Sequence, residues 1–113
     1  MQTSPSVADV LFVAFNGRIA AVHRDTGELL WSWKAPHGAG FVAVLVDGDQ
    51  LFASVQGYTW CLDPLTGDVV WENLLSGFGF GIPCLATANL NTGRDSGAAF
   101  ASEEANRQAS GTD

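Results

Sequence analysis

This chain is short of charge, of sulfur and of long apolar runs. Only 15% of its 113 residues are charged, and the basic ones number five against twelve acidic, for a net charge of −7. A chain so acidic repels phosphate, which excludes nucleic acid and anionic membranes as partners. The longest apolar runs, Val10–Phe15 and Phe41–Val46, are six residues each, far below the roughly 18 needed to span a bilayer. Two cysteines, Cys61 and Cys84, are too few for a disulfide scaffold and read as two buried, reduced thiols in strands. The start, Met1 to Asp9, has no basic segment followed by an apolar one, so no signal peptide is read there. The expected location is cytoplasmic. The Met1 start and the polar ending read as a complete small protein.

Catalytic patterns are also missing. The only histidines are His23 and His37, and there is no G-x-S-x-G, H-E-x-x-H or phosphate-binding loop. Apolar spacing of three or four never persists over a helix length.

What the chain has is glycine and large apolar residues. Thirteen glycines and a 47% hydrophobic content point to many tight turns joining buried strands. Shifting the chain by 40 residues lays Asp9–Lys34 over Asp49–Leu74 with seven of 26 positions identical: Asp9/Asp49, Leu11/Leu51, Phe12/Phe52, Gly17/Gly57, Thr26/Thr66, Gly27/Gly67 and Trp31/Trp71. These are turn glycines and large apolar residues, the positions a repeated structural unit would keep.

One unit reads as four short strands. Val10–Phe15 runs to Asn16-Gly17, a hairpin signal. Arg18–His23 follows, then the turn Asp25-Thr26-Gly27, then Glu28–Lys34, a loop from Ala35 to Gly40, and Phe41–Val46. The second unit reads Leu51–Val55, Tyr58–Asp63, Asp68–Asn73, a glycine-rich loop and Ile82–Thr87. Ser4–Ala8 is a further short candidate strand. The expected fold is all-β, about nine strands, with repeats over about 9–48 and 49–88 in a unit spanning 1–88. Residues 89–113 hold few large apolar side chains and read as a polar, largely disordered C-terminal segment.

Two segments, Ala21-Val-His-Arg-Asp-Thr-Gly-Glu-Leu-Leu-Trp31 and Cys61-Leu-Asp-Pro-Leu-Thr-Gly-Asp-Val-Val-Trp71, resemble the docking motif A-x-D-x-x-T-G-x-x-x-W of the PQQ-like, quinoprotein-type β-propeller repeat family. Ser4–Phe15 is similar to the stretch that precedes it in that family. The resemblance covers roughly residues 4–88 and implies two four-stranded propeller blades. It implies that Asp63, Thr66 and Gly67 shape the second turn and that Trp71 docks onto a neighbouring blade. Thr26, Gly27 and Trp31 take the same roles in the first copy. There His23 stands where the family has Asp, and Asp25 is the candidate to supply that turn hydrogen bond instead. Trp33 and Trp60 lie outside the motif and read as strand-face packing.

Two blades cannot close a propeller, which takes about four to eight. Each docking tryptophan asks for a neighbour, and one chain offers a single blade interface. Head-to-tail contacts that close form a ring. The expected state is therefore a homo-oligomer: four chains giving eight blades, or alternatively three giving six. Quinoprotein dehydrogenases hold PQQ with adjacent cysteines, calcium and acidic groups, and this chain has no adjacent cysteines. No catalytic, cofactor or metal residue is assigned. A likeness of Phe78-Gly79 and Asn89–Asp95 to an FG-GAP calcium loop brings a single carboxylate, Asp95, where calcium takes several oxygens. The function expected is a non-enzymatic propeller that binds a protein or small ligand. The alternatives are a PQQ-dependent oxidoreductase and an outer-membrane-assembly-type scaffold.

Overall fold

The computed structural model describes residues 6–90. The chain divides into two units, Met1–Pro83 and Cys84–Asp113. The described part of the first unit is all-β, with strands β1 (Val10–Phe15), β2 (Arg18–His23), β3 (Leu29–Lys34), β4 (Ala43–Asp47), β5 (Gln50–Val55), β6 (Tyr58–Leu62) and β7 (Val69–Asn73). All pairings are antiparallel. They build a three-stranded sheet in the order β1-β2-β3 and a four-stranded sheet in the order β4-β5-β6-β7.

The division of strands differs from the expected one. The repeat predicts Phe41–Val46 as the last strand of the first unit, but β4 pairs with β5 and opens the second sheet. Chain geometry explains the choice. Only Gly48 and Asp49 separate the paired residues Asp47 and Gln50, and a two-residue link forces a hairpin. The connection from β3 to β4 is much longer. It crosses the first hairpin, where the Gly17 N–H donates to the Gly40 carbonyl at 2.8 Å and the Ala35 N–H to the Gly17 carbonyl at 2.8 Å. The first sheet accordingly has three strands among the described residues, not four.

The two outer candidate strands also differ. Ser4–Ala8 overlaps a 3-10 turn over Val7–Asp9, closed by the Asp9 N–H on the Ser6 carbonyl at 2.9 Å and by the Ser6 N–H on Asp9 Oδ2 at 3.0 Å. Ile82–Thr87 forms no strand. The 40-residue offset carries β4 onto 83–87, and β4 is a strand because β5 lies beside it. No strand follows Thr87 among the described residues, so this segment has no ladder to join. Its end keeps the repeat's form within the second unit: the Thr87 N–H donates to the Leu90 carbonyl at 2.9 Å, at the positions equivalent to Asp47 and Gln50. The polar segment from residue 91 onward, including Asp95 of the calcium-like loop, lies outside the described residues.

The core lies between the two sheets. Ile19, Ala35, Val42, Leu51, Ala53, Val55, Trp60 and Leu62 are buried, and Phe12, Ala14, Trp31 and Trp33 pack on them from the first sheet. Strand alternation accounts for this. Phe12, Ala21 and Trp31 are cross-strand partners, as are Ala14, Ile19 and Trp33, so these six share the face turned to the second sheet. Trp33 meets Trp60 edge-on, with centroids 5.0 Å apart, and the buried Trp60 indole donates to Glu72 Oε1 at 2.9 Å. Both tryptophans pack on strand faces, as read from the sequence. Cys61 is buried in β6, and burial pushes its thiol up from the ordinary value. Cys84 is free and exposed, outside any strand, unlike the expected buried strand thiol.

Candidate functional site

The expected site residues fall on two turns that are nearly copies of each other. In the second, Leu65 N–H donates to Asp63 Oδ1 at 2.8 Å, Asp68 N–H to Thr66 Oγ1 at 3.2 Å and Gly67 N–H to the Asp63 carbonyl at 2.8 Å. In the first, Glu28 N–H donates to Thr26 Oγ1 at 3.2 Å and Gly27 N–H to the His23 carbonyl at 2.8 Å. Side-chain acceptors two residues upstream are what fold such turns. Both glycines sit at positive φ, +79° at Gly27 and +82° at Gly67, a region costly for any residue with a Cβ.

The acceptor at the head of the first turn is not the expected one. His23 Nδ1 accepts the Asp25 N–H at 3.1 Å, the counterpart of the Asp63 bond. An unprotonated ring nitrogen is an acceptor like a carboxylate oxygen, so His23 fills the role itself. Asp25 contributes its backbone N–H there, and its exposed side chain lies 3.7 Å from Arg24 Nε.

Each turn aims a tryptophan, and the two tryptophans end differently. Trp31 lies on the second sheet's turn. Its Nε1–H donates to the Pro64 carbonyl at 2.9 Å, and its ring covers Gly67 so closely that a Cβ there would stand 2.5 Å from Cε3. Gly67 is thus required twice, for its φ and for lack of a side chain. Trp71 holds the same pose within its own sheet: its ring is 6.1 Å from Phe52, and that of Trp31 is 6.1 Å from Phe12. Yet Trp71 is 42% exposed. Among the described residues, nothing lies within 4 Å of a Cβ built on Gly27.

The same contrast runs along the strands. Leu51, Ala53 and Val55 on β5 are each 0% exposed beneath the first sheet. Their repeat equivalents on β1, Leu11, Val13 and Phe15, are 53%, 38% and 63% exposed. The first sheet thus presents an open copy of the surface that the second sheet buries. The second sheet carries an unseated copy of the tryptophan that the first sheet seats. Residue types alone marked Trp31, Trp71 and the two Thr-Gly pairs; they did not mark the Pro64 carbonyl or the bracing Phe12 and Phe52. The 40-residue offset held the signal for the two phenylalanines.

Other features offer less chemistry. Ala39, Phe41, Gln56, Phe80, Gly81, Ile82 and Pro83 line an open concavity of about 350 Å³, with Gln56 its one polar side chain. The His37 ring lies tilted against Tyr58, with centroids 5.5 Å apart. Among the described residues no three His, Cys, Asp or Glu side chains gather closely enough to hold a metal ion. No helix among them is long and apolar enough to cross a membrane.

The family model described as outer membrane protein assembly factor BamB, a PQQ-like repeat model, matches residues 5–108. Among solved structures, BamB from Moraxella catarrhalis is similar with a TM-score of 0.47 and 23% identity, over 57% of this chain and 20% of that one. The chain therefore spans about a fifth of that protein's length. No curated protein matches.

Proposed function

We propose, since this chain belongs to the outer membrane protein assembly factor BamB family of PQQ-like repeats, that it is a non-enzymatic propeller-building scaffold whose function is to bind. Its two sheets are one blade pair, and further blades complete a ring on its two open faces. Four chains would give eight blades and three would give six.

The observation that carries this reading is the contrast between equivalent positions: Leu51, Ala53 and Val55 are fully covered, while Leu11, Val13 and Phe15 are open. An apolar sheet face of that kind, on a chain that buries its repeat copy, is built to be covered. The binding role rests on the apolar concavity around Phe41 and Phe80, which suits a protein segment or small apolar ligand. Fold alone does not set function. The non-enzymatic part of the reading rests on the sequence, which carries none of the catalytic motifs named above.

The mass in solution tests the assembly. Native mass spectrometry at micromolar concentration should find a closed oligomer, and a stable monomer across that range overturns it. Incubation with PQQ and calcium should give no dye-linked oxidation; turnover overturns the non-enzymatic reading. A second reading, an outer-membrane-assembly-type scaffold, is favoured by the name of the matching family. Cell fractionation separates the two: recovery with the outer membrane supports the second, recovery in the cytoplasm the first.

A further inference from the structure

We infer that His23 makes the turn of the first repeat a proton-operated latch: the neutral ring holds the Asp25 amide, and the protonated ring releases it and turns to the Asp9 carboxylate. The device lies within one chain and needs no assembly.

The two turns differ at one acceptor. In the second, Asp63 Oδ1 takes the Leu65 N–H at 2.8 Å, and a carboxyl group keeps an acceptor oxygen in either protonation state. In the first, the counterpart is His23 Nδ1, which takes the Asp25 N–H at 3.1 Å. An imidazole accepts on one nitrogen only while it is neutral; once protonated, both nitrogens donate. A proton taken from water at Nδ1 therefore sets one N–H against another, and the bond to Asp25 is lost. Histidine is the side chain whose charge ordinarily changes between about pH 5 and 8.

A second partner for the ring is close by. Asp9 ends the 3-10 turn before β1, and the next residue, Val10, is the cross-strand partner of His23. The Arg24 N–H donates to the Asp9 carbonyl at 2.9 Å, which fixes the two segments side by side. The Asp9 carboxyl is held below its ordinary range first by the Ser6 N–H and, among smaller causes, by the charges of His23 and Arg24. Asp9 meets Ser6 through Oδ2, and a carboxylate has a second oxygen to offer an imidazolium. The other charged groups about the ring belong to the turn. Arg24 and Asp25 lie 3.7 Å apart, and the Glu28 carbonyl takes the His23 N–H at 2.8 Å.

The release is local. The Gly27 N–H bond to the His23 carbonyl and the Glu28 N–H bond to Thr26 Oγ1 do not use the ring, so they persist. Only the Arg24–Asp25 corner opens. Acid thus alters the surface of one turn and leaves its copy at Asp63–Gly67 unchanged.

NMR of the chain tests this. Between about pH 7.5 and 5.5 the Asp25 amide should lose about fivefold of its protection against exchange, the equivalent of one hydrogen bond. Its proton shift should follow the transition of the His23 ring, whose nitrogen shifts should report a proton on Nε2 alone at the upper pH. The Leu65 amide should keep its protection throughout. His23→Asn should hold the Asp25 amide at both pH values. Asp9→Asn should move the transition to lower pH, because the imidazolium loses an opposite charge. Circular dichroism checks that both variants fold.

An Asp25 amide that does not move through the His23 transition in the wild type overturns the latch. So does the same loss in His23→Asn, or an equal loss at Leu65, which would mean a general loosening of the chain. A transition that stays in place in Asp9→Asn overturns the exchange of partners.

Discussion

Gly67 and Gly27 form a matched pair in which one contact differs, so replacing each by Ala isolates that contact. Both have φ near +80°, and an L-residue there costs about 1 kcal/mol relative to Gly. At Gly27 the new Cβ meets open space, and the cost stops at that figure. At Gly67 it would stand 2.5 Å from Trp31 Cε3 and 2.8 Å from Cδ2, so the indole must leave its seat. Removing a buried tryptophan side chain costs roughly 3–5 kcal/mol. A half-buried ring that is displaced rather than deleted loses part of that, together with a hydrogen bond worth about 1 kcal/mol. The displacement adds about 2–3 kcal/mol and brings the total for Gly67→Ala to about 3–4 kcal/mol. At roughly 4–8 °C per kcal/mol for a domain of this size, Gly27→Ala should lower Tm by about 5 °C and Gly67→Ala by about 15–20 °C. The scans belong at concentrations low enough for the chain to be monomeric, where no second copy covers Gly27. Equal losses at the two positions would refute the reasoning, because they would mean that the seated indole contributes nothing to holding the sheets together.

Glu72→Ala should destabilise the chain by about 1–3 kcal/mol, since it strands the buried Trp60 N–H. Glu72→Gln keeps an acceptor and should cost under about 0.5 kcal/mol; urea unfolding measures both. His23→Asn supplies a side-chain carbonyl to the Asp25 N–H with standard turn geometry, and should leave Tm unchanged or raise it by a few degrees. Asp9 is held below its ordinary carboxyl range, first by the Ser6 backbone N–H. Its folded pKa is depressed, so its contribution is present at neutral pH and fades as pH falls through the acid range below about 4. Asp9→Asn should therefore make the acid limb of a Tm-against-pH curve shallower and leave the alkaline limb unchanged. Parallel limbs in wild type and variant would contradict that cause.

Hairpins were legible because short-range chemistry decides them. Asn16-Gly17 turns at φ of +54° and +69°, the type of link that Asn-Gly favours, and both Thr-Gly turns form where their residues predict. Blade membership was not legible from the repeat, because a period carries no phase: a 40-residue offset is equally satisfied whether a unit begins at β1 or at β4. The phase lies in connection length, two residues between β4 and β5 against a long loop between β3 and β4. Ile82–Thr87 shows the other limit. Its apolar pattern suits a strand, but a strand exists by pairing, and its partner is not in the described chain. Residue identity hides the role of His23: the turn needs an acceptor atom at that place rather than an aspartate, and an imidazole nitrogen supplies one.

The two turns also say how docking gains its strength. The Arg24–Gly27 turn keeps the same internal hydrogen bonds with nothing seated on it as the Pro64–Gly67 turn keeps beneath Trp31. Trp71 is braced by Phe52 at the distance that Phe12 keeps from Trp31. Neither tryptophan nor turn waits for a partner to take shape. In the assembly proposed above, association between preformed surfaces would lose little conformational freedom, so the burial of Leu11, Val13, Phe15 and the Trp71 ring would be opposed chiefly by the lost tumbling of whole chains. A single such contact must offset that loss by itself. The contact that closes a ring is made between chains already held together, at a high effective concentration. Closed rings should therefore dominate over open strings, and intermediate oligomers should be scarce at every concentration where rings form. A ladder of dimers and trimers of comparable abundance in native mass spectra would show that the docking contacts do not close.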